Sequence, residues 1–130
     1  MPARTLEELA DEVVRIAGGP AELERPSKPE HGDYATNAAL RLSAAKGVPP
    51  REFASEIASR ATEIDHVERA EVAGPGFVNL FLKPSWYAET LAEMLAAGEG
   101  FGAGSAEVTE RVQVELVSAN PTGPLTVGSA

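Results

Sequence analysis

The sequence predicts an α+β fold, a small antiparallel sheet with helices packed on one side, followed by a single strand that has no obvious partner within the chain. Three observations predict it. Four stretches carry apolar residues at helical spacing. Between the third and the fourth the period switches to two, over "VERAEVA" and "FVNLFL" on either side of "GPG". Beyond a Gly- and Ala-containing linker, Gly98 to Thr109, a last alternating run, "RVQVELV", opens onto "SANPTGPLTVGSA".

The elements follow in order. Thr5-Leu6-Glu7-Glu8 reads as a capping box, with Leu6, Leu9, Ala10, Val13, Ile16 and Ala17 as the apolar stripe of the helix it opens. Gly18-Gly19-Pro20 ends that helix. Ala21 to Gly32 reads as polar loop, with a short strand at Leu23 to Arg25. A second helix is expected from about Asp33, with Asp33 as N-cap and Ala35, Ala38, Ala39, Leu42 and Ala45 buried; Gly47 suits its C′ position. Pro50 suits N1 of a third helix that turns Phe53, Ile57, Ala61 and Ile64 inward. Pro75 and Gly76 fit the central positions of a type II turn between two strands. Ser85 is expected to cap a fourth helix bearing Trp86, Leu91, Met94 and Leu95. In the last run Val112, Val114 and Leu116 share one face. The linker places a boundary near residue 104, with a module over 1–104 and a second segment over 105–130.

Composition narrows the function. The 130 residues suffice for about one domain with a modest core. No cysteine is present, which removes disulfides and thiolate metal sites. No run is long and apolar enough for a membrane span, and the first residues lack the apolar core of a signal peptide, so the expectation is a cytoplasmic protein. Eleven basic residues stand against twenty acidic ones, a net charge of −9. That excludes a general phosphate-coating protein and requires any nucleic-acid contact to be local and shaped.

Few stretches offer chemistry. The Pro- and Gly-containing tail after the last strand either presents backbone N–H groups to a phosphate or is an ordinary terminus. Gly74-Pro75-Gly76 is a strand-to-strand turn or, less specifically, a phosphate loop. His31-Gly32-Asp33 is either a turn with a helix cap or part of a metal or acid–base site, although no third ligand has usable spacing. His66 reads as a solvated residue before a strand, and no Ser–His–Asp or Cys–His set can be assembled. In "FVNLFL", alternation sends Val78, Leu80 and Leu82 to one face and Phe77, Asn79 and Phe81 to the other. Rings flanking an amide make a base-reading surface, since rings stack on bases and Asn bonds base edges. The other reading is that this second face is covered or that Asn79 is merely solvated.

Three segments, in this order, resemble the amino-terminal part of bacterial arginyl-tRNA synthetases, a class I aminoacyl-tRNA synthetase family. They are "ERPSKPEHGDYATNAAL" (Glu24–Leu40), "VAGPGFVNLFL" (Val72–Leu82) and "VELVSANPTGPLTVG" (Val114–Gly128). The resemblance spans essentially the whole chain. It implies that residues 1–104 are the family's additional N-terminal domain, which binds the elbow of arginine tRNA through the D-loop, with Phe77, Asn79 and Phe81 at the RNA. It implies that residues 105–130 begin a truncated nucleotide-binding catalytic domain. There Ser118 and Asn120 match positions near the arginine pocket, and Pro121, Thr122, Gly123, Thr126, Gly128 and Ser129 match the loop over ATP. The family usually has histidines where this chain has Thr126 and Ser129; the hydroxyls keep a donor each but lose a possible positive charge.

The resemblance implies a parent enzyme that joins arginine to its tRNA with ATP, Mg-dependent, as substrate. The parent is expected to be monomeric, and the chain to bind no cofactor or metal of its own and to be inactive alone. Two alternatives are a free-standing non-catalytic paralogue that binds tRNA or a synthetase, and a purely structural module.

Overall fold

The computed structural model describes residues 5–104, 108 and 110–115. Contacts divide the chain into two units, residues 1–99 and 100–130.

The first unit holds α1 (Leu6–Ala17), β1 (Tyr34–Thr36), α2 (Ala38–Lys46), α3 (Pro50–Ala61), β2 (Val67–Ala73), β3 (Phe77–Leu82) and α4 (Pro84–Ala97). The strands form one antiparallel sheet in the order β1-β3-β2. This is the α+β architecture the sequence predicts. The capping box is present: Glu8 N–H donates to Thr5 Oγ1 at 3.2 Å, and Thr5 N–H donates to Glu8 Oε2 at 3.3 Å. Leu9, Val13 and Ile16 of α1 and Phe53, Ile57 and Ala61 of α3 pack with Val78, Leu80 and Leu82 in a single core. Each of these positions follows from its period, because burial of an apolar stripe is what holds so short a helix together.

The region 33–37 departs from expectation. It is strand β1, not the start of a helix. Tyr34, Ala35 and Thr36 pair with Leu80, Asn79 and Val78. An aromatic and a β-branched residue fit the pleated sheet, and the ladder bonds outweigh the helical preference of the neighbouring alanines. The helix therefore starts at Ala38, where Thr36 Oγ1 accepts from Ala38 N–H at 3.2 Å. Its buried residues are Ala38, Ala39 and Ser43, while Ala45 is exposed and Ala35 belongs to the sheet. Glu24 adds a single bridge to Ala35 on the free side of β1, which is all that remains of the expected strand at 23–25.

Three further corrections concern ends and turns. Between β2 and β3 the positive φ belongs to Gly74, at 53°, whereas Gly76 has none, so the type II turn is not formed. Ser85 does not cap α4: the N-cap is Lys83, without a side-chain bond. His66 is not simply solvated. Its Nδ1 lies 2.9 Å from Ser85 Oγ and its Nε2 3.2 Å from Glu89 Oε2, and its φ of 71° is the one positive value at a non-glycine residue among those described.

In α4 only Trp86 is buried. It packs edge-on against Tyr34, with centroids 6.0 Å apart, and its indole N–H has no hydrogen-bond partner. Tyr87, Leu91, Met94 and Leu95 form an exposed stripe at helical spacing, Leu95 being 75% exposed. In the second unit, residues 111–115 lie outside any strand, and Val112 and Val114 are exposed. A strand exists only through its ladder, and alternation alone does not supply one. Leu116, the third residue of that expected face, lies outside the described residues.

Candidate nucleic-acid interface

β3 runs through the middle of the sheet, so its two faces meet different surroundings. Toward the helices, Val78, Leu80 and Leu82 are buried. On the opposite face stand Phe77, Asn79 and Phe81, as alternation requires. Phe77 is 39% exposed and Asn79 only 6%. The loop that follows Glu24 lies against this face, at Glu24 to Ser27 and at His31. A cavity of about 410 Å³ remains beneath it, lined by Arg25, Pro26, His31, Ala35, Phe77 and Asn79 among others. That is within the roughly 300–1,000 Å³ typical of ligand pockets. Ala35, the cross-strand neighbour of Asn79, is part of its lining.

The other neighbours of this face come from β2. Glu71 is opposite Asn79 and Arg69 is opposite Phe81. The Arg69 guanidinium carbon sits 3.6 Å from the Phe81 ring centroid, and Arg69 Nε donates to Glu71 Oε1 at 2.9 Å. One face of Phe81 is thus occupied by a cation, leaving Phe77 as the more available ring. Phe81 lines a second cavity of about 390 Å³, with Arg25, Pro26, Ser27, Gly32 and Asp33.

Asp33 lies at the end of the covering loop. Its backbone N–H donates to Leu80 O at 2.8 Å, and its carboxylate accepts from Leu82 N–H at 2.8 Å and from the Tyr87 hydroxyl at 2.5 Å. It is not the helix cap, a position that Asn37 holds. Loss of hydration at the hydroxyl, then the Asp33 carboxylate, push the Tyr87 pKa up to about 12.

The structure therefore brings Phe77, Asn79 and Phe81 together on one face. Ser118, Asn120, Pro121, Thr122, Gly123, Thr126, Gly128 and Ser129 lie outside the described residues. Nothing periodic marks Arg25 in an irregular loop, so its sequence offers no signal for this site; His31 stands out in the sequence only as part of a turn or of a metal or acid–base site, not as a residue of this cavity. Arg69 and Glu71 had a signal: counting outward from the turn pairs 71 with 79 and 69 with 81.

An α+β module with an aromatic–amide face beneath a loop suits recognition of bases better than bond chemistry. The chain matches the family described as "Arginyl tRNA synthetase N terminal domain" over residues 3–82. It is 51% identical over 110 residues to an arginine–tRNA ligase of Salinibacter ruber, covering 82% of this chain and 20% of that one. It is 46% identical over 116 residues to one of Acidithiobacillus ferrooxidans, covering 88% and 20%. A third, from Cereibacter sphaeroides, is 47% identical over 106 residues, covering 82% and 18%. The chain belongs to the arginyl-tRNA synthetase N-terminal domain family, and it spans about a fifth of the length of the ligases it matches. No helix among the described residues is long and apolar enough to cross a membrane.

Proposed function

We propose that this chain is the tRNA-elbow-binding module of an arginine–tRNA ligase, a class I synthetase that joins arginine to its tRNA with ATP and magnesium. The observation that carries the reading is a single strand presenting an open ring, Phe77, and a nearly buried amide, Asn79, to a cavity that also receives Arg25. A D-loop base entering that cavity stacks on Phe77, its edge bonds Asn79, and Arg25 meets a phosphate. Phe81, stiffened by Arg69, borders the same path. Recognition by shape at one spot agrees with a chain of net charge −9, which cannot hold RNA by charge alone.

In this reading the ligase is cytoplasmic and monomeric, and the module needs no cofactor. Arginine is met near Ser118 and Asn120, and ATP along Pro121, Thr122, Gly123, Thr126, Gly128 and Ser129. The module alone does not activate arginine.

The test is aminoacylation by the full-length protein carrying Phe77→Ala or Asn79→Ala. Loss of a stacked base costs about 1–3 kcal/mol. The KM for tRNA should rise accordingly, with the constants for ATP and arginine near normal. An unchanged tRNA KM with both variants melting earlier would make this face packing and remove the RNA role.

A further inference from the structure

We infer that Asp33 and Tyr87 are positioning residues for the RNA site, holding the loop 25–32 over β3 and tying it to α4; the inference rests on the reading of the β3 outer face as the RNA surface. The loop has little else to fix it. Its first end is held by the two backbone bonds between Glu24 and Ala35, at 2.8 and 2.9 Å. Inside it, His31 and Gly32 N–H groups bond only to Lys28 and Pro29 carbonyls of the same loop. Its second end is fixed by Asp33.

β1 begins at Tyr34, so β3 runs past it, and Leu82 N–H would have no β1 partner. The Asp33 carboxylate takes that position with one oxygen and extends the ladder by a side chain. The other oxygen accepts from Tyr87, 54 residues away in sequence. A carboxylate bonded through both oxygens cannot rotate without losing one bond. Gly32 then lies flat on β3: a Cβ there would stand 2.6 Å from Leu80 O. The second cavity, where Arg25, Pro26, Asp33 and Phe81 meet, puts Asp33 and the RNA-facing loop on one wall. Displacing the wall displaces Arg25 relative to Asn79.

The experiment uses the full-length ligase with Asp33→Ala, Tyr87→Phe and the double variant, beside Phe77→Ala and Asn79→Ala, well below the melting temperature of each. Loss of one bond to the pair should raise the tRNA KM about three- to tenfold, with kcat and the constants for ATP and arginine unchanged. The double variant should be no worse than Asp33→Ala alone, because that change already removes the hydrogen bond that Tyr87→Phe removes. Hydrogen exchange should quicken at His31, Gly32 and Asp33 but not at Val78 or Leu80. If Phe77→Ala and Asn79→Ala raise the tRNA KM and the Asp33 and Tyr87 variants do not, the positioning role is wrong and the RNA surface stands. If none of the four does, the RNA surface itself falls, and this inference with it. A fall in kcat matching the loss of folded protein would reduce Asp33 to a stability residue and overturn the proposal.

Discussion

Gly32 and Gly47 both hold positive φ, 87° and 67°, yet alanine should not cost the same at the two places. At Gly47 a Cβ would meet nothing within 4 Å, so only the left-handed backbone resists it, about 1–2 kcal/mol. At Gly32 the backbone, with φ 87° and ψ −172°, lies in a region that only glycine enters readily, and a backbone oxygen stands at 2.6 Å that cannot swing away. Gly32→Ala should therefore cost about 2–4 kcal/mol by urea denaturation, clearly more than Gly47→Ala. Tyr87 gives a second residue-scale expectation. Its pKa is raised from 10.0 to about 12 in the folded chain, so the folded state keeps the proton longer. The stabilisation is complete below pH 10 and is lost as pH rises through 12. Absorbance titration of the two tyrosines should show one ionising late, and Asp33→Asn should bring that step back toward the ordinary value.

At the scale of the element, β3 separates two kinds of residue on one strand. Val78 is fully buried against Val72 and Thr36, its pairing partners, and Val78→Ala should destabilise by about 2–3 kcal/mol while leaving the outer face intact. Equal stability of Val78→Ala and wild type in thermal melts would mean that the faces are assigned the wrong way round. This alternation was legible in the sequence, as were α1, α3 and the hairpin, because a period of two or of 3.6 is a local property. β1 was not. Tyr34-Ala35-Thr36 is only three residues long, precedes a run of alanines, and becomes a strand through bonds to residues more than forty positions away. Asp33 was misread for the same reason: its neighbours in sequence suggest a cap, while its partners Leu82 and Tyr87 are set by the sheet. The shared face of Phe77 and Asn79 could be read directly, but the loop that lies against it could not.

Across the whole molecule, the acidic surface and the proposed RNA contact are reconciled by geometry. With twenty acidic residues against eleven basic ones, attraction to phosphate is available only where a cation is placed beside a shaped cavity, as Arg25 is. In the proposed reading the rest of the unit holds that place still, from the core under Val78 and Leu80 to the Asp33 contact.

Trp86 is the chain's one tryptophan, and it is also the one buried residue of α4. The molecule thus carries an optical reporter at a single seam. Its emission registers whether that helix is seated on the core that α1 and α3 share with the sheet. The seat is shallow, since most of the helix faces water and the indole N–H is unsatisfied. In urea, the red shift of the emission should come at a lower concentration than the collapse of the far-ultraviolet helical signal. A coincident pair of transitions would mean that α4 unfolds with everything else. The separation between the two curves would then measure how far the last helix behaves as a cooperative unit of its own.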